Sequence, residues 1–209
     1  MMPFEDIAFQ LVDLPPLSER HVEPWVLDLV RRADLLWVVL EGLSALDGFE
    51  EVRRVLEKHR MGVYPGGGNP TDEDTSLWPL KKSMLVLTGA DKAGVIEAVD
   101  ALDELLERRW PLIAVSSTSG IGLEALKRKT FQAFDIIRVY TKQPGKPADR
   151  NVPFTLARGA HVADLAEKIH KDLLASMKFA RVRGPSAFDG QAVQKDHVLA
   201  EGDVVEIHT

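Results

Sequence analysis

Two carboxylates and a pair of serines stand where this chain's apolar runs end, and those are the positions at which an α/β protein does its chemistry. Asp13 closes the run IAFQLVD at residues 7–13, and Asp91 closes MLVLTGAD at residues 84–91. A carboxylate at the C-terminal edge of a buried parallel strand lies where open α/β sheets hold ligands; it can equally cap the loop or helix that follows. A third run, LIAV at residues 112–115, leads into SSTSGIG, in which the Ser116 and Ser117 hydroxyls are suited to satisfying loop backbone groups. The last third of the chain carries Lys142, Lys146, Arg150, Lys168, Lys171, Arg181 and Arg183 among scattered acids. These bases form either a polyanion-facing patch or a solvated face. His170 and His197 lack cysteine or carboxylate partners at ligand spacing, which argues against zinc, and His21 reads as a polar loop residue. No residue is assigned a catalytic role.

The elements that must position these residues alternate. Residues 7–12 read as a nearly continuous apolar strand, and the proline-rich LPPLSERHVEP follows. A helix is expected over residues 25–32, a second buried strand over 35–40 and a helix over about 46–59. The glycine-rich segment MGVYPGGGNPTDEDTSLWP then reads as a connector, followed by a strand at 84–88, a helix near 93–109, a strand at 112–115 and a helix over about 123–133. Strands alternating with helices mean a parallel α/β layer. From residue 136 the pattern changes. Ile136, Ile137, Val139 and Tyr140 form a β-rich run broken at Pro144 and Gly145; VADLAEKIHKDLL places Val162, Leu165, Ile169 and Leu173 at helical spacing; and DVVEIH closes the chain as a strand. That is a small α+β unit, with the boundary near Asp135.

Length and composition fit two modest domains with real cores. The chain has 209 residues, 45% of them hydrophobic and 28% charged, and no cysteine, which removes disulfides and cysteine-ligated metals. No apolar run approaches the roughly 20 residues needed to span a bilayer, and the start lacks a signal-peptide pattern, so a cytoplasmic protein without membrane contact is expected. The net charge of −6 is unevenly spread: residues 136–209 carry 11 Lys and Arg against 9 Asp and Glu, leaving 15 against 23 upstream. An acidic body with a slightly basic end would meet polyanions through that end, unless the difference is ordinary surface fluctuation.

Four blocks, IRVYTK (137–142), KIHKDL (168–173), FARVRGPS (179–186) and KDHVLAEGDVVEI (195–207), resemble a TGS domain, a ubiquitin-like β-grasp module. The likeness is to the version found in the developmentally regulated GTP-binding (DRG) proteins. Upstream, VDLPPL (12–17), TGAD (88–91) and SSTSGIGLEAL (116–126) resemble the DxxG, NKxD and SA-loop motifs of a P-loop GTPase domain of the Obg and DRG type. The resemblance implies GTP and Mg²⁺ as cofactors. Asp13 would organise the metal, Asp91 would read the guanine edge, and Ser116 and Ser117 would complete the nucleotide site. It also implies ribosome, RNA or regulatory-protein partners, for which Lys142, Lys168, Lys171, Arg181 and Arg183 of the basic stretch are the candidate contact residues.

Departures from the motifs bear on activity. GxxxxGK[ST] occurs nowhere in the sequence, and GGG at 66–68 is followed by Asn69 and Pro70. Pro16 replaces the switch glycine and has no N–H to offer a phosphate, while Thr88 and Gly89 replace the Asn and Lys of the base motif. The expected architecture is therefore a partial P-loop GTPase-like parallel layer at residues 1–135, followed by a β-grasp TGS domain at residues 136–209. The function expected is that of an Obg/DRG-type regulatory protein with impaired nucleotide binding. The alternative is a non-enzymatic interaction module on a degenerate scaffold. The strand that leads into a P-loop would lie between residues 7–12 and 35–40, so self-association through an incomplete sheet is also expected.

Overall fold

The computed structural model describes residues 1–209 apart from His21, Asp72, Glu73, Thr75, Ser76 and the side chain of Asn151. The chain begins with a hairpin, β1 (Met2–Phe4) paired antiparallel with β2 (Ile7–Phe9), so that Phe4 faces Ile7. Glu5 makes the turn at φ 52°, and the rings of Phe4 and Phe9 stack with centroids 6.2 Å apart. This corrects the expectation of a parallel-layer strand over residues 7–12. The run is cut at Phe9, Leu11 and Val12 are about half exposed, and residues 1–10 group with residues 135–209, leaving residues 11–134 as the other compact unit. An apolar run of this length does not reveal which sheet it joins.

Within residues 11–134 the order is α1 (Pro24–Arg32), β3 (Leu36–Glu41), α2 (Ala45–Lys58), β4 (Gly62–Pro65), β5 (Leu80–Thr88), α3 (Val95–Leu105), β6 (Leu112–Val115) and α4 (Leu123–Phe134). β5 is the central strand and every pairing is parallel. β3 runs along its residues 83–88, β4 along 80–83 and β6 along 85–88. Because successive side chains point to opposite faces, a strand covered on both sides must be apolar throughout. Val38, Leu40, Leu85, Leu87 and Leu112 pack against Phe49 of α2 and Leu102 of α3. Met84, Val86, Ile113 and Val115 pack against Leu126 and Ala133 of α4. The outer edge of β3 pairs with no described strand, and Val39 is 58% exposed.

The remaining elements are β7 (Ile136–Lys142), β8 (Ala148–Ala157), α5 (Val162–Ile169), α6 (Lys171–Ser176), β9 (Phe179–Gly184), β10 (Ala187–Val193) and β11 (Val204–His208). They form a five-stranded sheet in the order β10-β9-β11-β7-β8, with β11 parallel to β7 and every other pairing antiparallel. Ile137, Val139, Leu156, Ala180, Val182 and Val205 face Val162, Leu165 and Ala166 of α5, which closes a β-grasp core. The single helix expected across residues 162–173 is two. His170 is extended at φ −167° and ends α5, and its Nδ1 accepts from the Asp172 amide at 3.2 Å to start α6. The imidazole offers the backbone an alternative to continuing the helix.

Candidate functional site

At the C-terminal edge of the parallel layer, the two loops that carry Asp91 and Ser116 are joined. The Thr88 hydroxyl donates to Leu40 O at 3.2 Å, tying the ends of β5 and β3 together. The chain then turns through Gly89 at φ 85°, and Ala90 N donates to Val115 O at 3.0 Å. That bond brings Asp91 to Ser116. The Ser116 hydroxyl, and then the Asp91 backbone, hydrogen-bond the carboxylate and hold its pKa below the ordinary range. Ser116 itself is buried, its Oγ accepts from Ser119 N at 3.1 Å, and its amide donates to Ile121 O at 2.9 Å. Gly122 closes this loop at φ 77°, where a Cβ would stand 2.2 Å from Ala114 O, so no other residue fits. The product is an exposed carboxylate beside a buried serine at the ends of β5 and β6.

Asp13 and Ser117 are both exposed, with Asp13 in the irregular segment before α1. Among the described residues, no three His, Cys, Asp or Glu side chains gather to hold a metal ion. His21 lies outside the described residues. In the glycine run at 66–68, Gly66 N donates to Ser83 O at 2.8 Å, Gly67 N donates to Ala133 O at 2.9 Å, and a Cβ on Gly66 would meet Ala133 at 2.8 Å.

The C-terminal sheet separates the expected basic patch. Strand alternation puts Lys142, Arg181 and Arg183 on the face opposite α5, whereas Lys168 and Lys171 belong to the helices, with Lys168 donating to Thr155 O. On the sheet face Glu206, which the sequence did not flag, is the hub. Its carboxylate accepts from Lys142, lies 3.9 Å from Arg183 and is 2.9 Å from His208 Nε2. The hydrogen bond from Lys142 outweighs burial and holds its pKa low.

Further along the same face, Arg138 is surrounded by acids. Its Nε meets Glu201 at 2.6 Å, its Nη1 meets Asp6 at 2.7 Å and also pairs with Glu5, and the Tyr140 hydroxyl donates to Asp6. Ser186, His197 and Asp203 also meet, but not as a nucleophilic triad. The one hydroxyl proton of Ser186 goes to buried Asp203, so His197, 2.9 Å from the same oxygen, can only donate to it.

A parallel α/β layer whose loops present a carboxylate at the strand ends, followed by a β-grasp sheet, is the architecture that the comparisons extend. Residues 137–209 match the family model of the TGS domain, and the C-terminal unit is a TGS domain. An uncharacterized GTP-binding protein of Methanocaldococcus jannaschii is 42% identical over 123 residues, covering 54% of this chain and 32% of its own length. The developmentally-regulated GTP-binding protein 1 homolog of Dictyostelium discoideum is 33% identical over 120 residues, with the same coverage of 54% and 32%. The matched region thus spans about a third of the length of these relatives. The YchF GTPase of Schizosaccharomyces pombe shares the fold, with TM-score 0.50 at 13% identity over 79% of this chain and 56% of that one. Among the described residues, no helix is long and apolar enough to cross a membrane.

Proposed function

We propose that this chain is a regulatory protein of the GTP-binding DRG and Obg-like group that retains the base-reading corner of a nucleotide site without its phosphate half, and that contacts RNA or the ribosome through its TGS domain. The observation that carries this reading is the joining of Asp91 and Ser116 at the strand ends. A carboxylate held ionised accepts from both donors on the guanine edge, and adenine offers no such pair. Asp13 would be the family's Mg²⁺ carboxylate, and Ser117 would lie beside the base. With the glycine amides at 66 and 67 engaged internally and Pro16 lacking an N–H, the phosphates gain nothing from this chain, so binding is weak. Amide chemical-shift mapping with millimolar nucleotide tests the corner. GTP is expected to shift residues 88–92 and 116–122 while ATP leaves them in place. Equal shifts with both nucleotides, or none with either, would overturn the reading.

The interaction-module alternative has one observation in its favour: residues 1–10 complete the C-terminal unit and are not part of the parallel layer. In that reading the TGS domain is the working part and the layer is scaffold. A chain that binds RNA normally while ignoring GTP at any concentration would select it.

A further inference from the structure

The sheet face of the TGS domain ends in a cleft of about 410 Å³, lined by Lys142 of β7, Arg150 of β8 and Arg183 of β9, with Gly184 and Gly202 among its walls. The volume falls within the range of small-ligand sites, roughly 300–1,000 Å³. Lys142 is held from beneath by buried Glu206, which accepts from it, and Arg183 lies 3.9 Å from the same carboxylate. Arg150, on β8, is exposed. The acid at the rim is Asp189, paired with Arg183 at 3.0 Å and 87% exposed, which makes it the kind of surface pair that contributes little and is readily exchanged for another anion. At Gly202, φ is 86° and an added Cβ would meet nothing within 4 Å, so the wall is low there, while the amide itself donates to Arg138 O at 2.9 Å. Next to Asp189, in the irregular stretch of β10 between Ala187 and Gln191, Phe188 is 86% exposed, its amide held by Gln191 Oε1 at 3.1 Å.

Single exposed aromatics are common and mean nothing alone. Converging cations beside an exposed ring are the two parts that single-stranded nucleic acid uses, the cations for its phosphates and the ring for an unstacked base. We propose that the Lys142, Arg150 and Arg183 cleft holds a phosphodiester of single-stranded RNA, with Phe188 as the stacking face for a neighbouring base. This inference rests on the reading that the TGS domain contacts RNA, and it states where.

The test is fluorescence anisotropy of the full chain with an end-labelled oligouridylate of roughly ten nucleotides, at several salt concentrations. Arg150→Glu and Phe188→Ser touch no buried pair and leave thermal unfolding unchanged. Each is expected to weaken binding by roughly fivefold or more, the lower end of what one stacked base contributes. Arg150→Glu also flattens the slope of log affinity against log salt by about 0.7, the share of one phosphate contact on a single strand. Lys171→Glu makes the same charge change on the helical layer and is expected to leave affinity within about twofold. If the wild type binds no oligouridylate, both this site and the RNA reading fall. If the wild type binds but the two variants match it, if Lys171→Glu loses as much, or if a duplex binds equally well, the site assignment alone is overturned.

Discussion

Replacing Asp6 by asparagine asks whether charge fixes the first ten residues to the TGS unit. The Asp6 carboxylate takes hydrogen bonds from Arg138, at 2.7 Å, and from the Tyr140 hydroxyl. Its side chain is 22% exposed and that of Arg138 is 14% exposed, so solvent screens the pair only in part. Hydrogen bonds to a charged group contribute about 1.5–3 kcal/mol each. Asparagine keeps a neutral acceptor, and Arg138 keeps Glu5 and Glu201. The expected loss is therefore about 1–2 kcal/mol. In a unit of this size each kcal/mol lowers the midpoint by roughly 4–8 °C. The pH dependence carries a signature. Burial pushes Asp6 up, but the bonds from Tyr140 and Arg138 outweigh it, and its pKa lies below the ordinary value. Its contribution is thus full above about pH 4 and is lost as pH falls through the folded value. Tyr140 is raised, first by its bond to Asp6 and then by burial, so its contribution is full below about pH 10 and is lost as pH rises through the folded value. Asp6→Asn should flatten both limbs. The assay is thermal unfolding across pH together with hydrogen exchange at residues 2–9. An unchanged midpoint with hairpin amides as protected as in the wild type would refute the reasoning.

Other substitutions probe other joints. Gly122→Ala combines a positive φ with a Cβ 2.2 Å from Ala114 O, and is expected to destabilise residues 11–134 by about 3 kcal/mol or more, read by denaturant unfolding. An unchanged midpoint would show that the loop can relax. The segment 136–209 encloses the core between α5 and the sheet, so as an isolated fragment it is expected to unfold cooperatively. A fragment with no transition would make residues 1–10 part of the minimal unit. The edge of β3 that pairs with no described strand, with Val39 exposed, is expected to drive concentration-dependent association that Val39→Lys reduces. A strictly monomeric protein with residues 36–41 strongly protected would contradict that.

The TGS unit was legible because its strands alternate. Ile137 and Val139 point inward while Arg138, Tyr140 and Lys142 point outward, and period two fixes which face is buried. β4 was hidden, because GVYP sits against a glycine-rich run that reads as a connector, and only its pairing with residues 80–83 makes it a strand. The start of β5 was hidden for a related reason. Lys81 and Lys82 look like loop residues, yet Lys81 Nζ donates to Arg31 O at 2.8 Å and Lys82 Nζ to Phe134 O at 3.0 Å, so they satisfy the last carbonyls of α1 and α4. At the candidate sites, Asp91 and Ser116 were visible as residues following apolar runs, but the bond between them depends on how β5 and β6 align. Glu206 sits in VVEIH as an ordinary outward residue. Only the neighbouring strands show that Lys142, Arg183 and His208 converge on it.

Calorimetric titration of the full chain with GTP and Mg²⁺ tests the central claim most directly, that this chain keeps the base corner and lacks the phosphate half. The account predicts no saturable heat in the micromolar range. Binding at micromolar Kd or tighter would mean that some group in these residues cradles a triphosphate, and the account would be wrong.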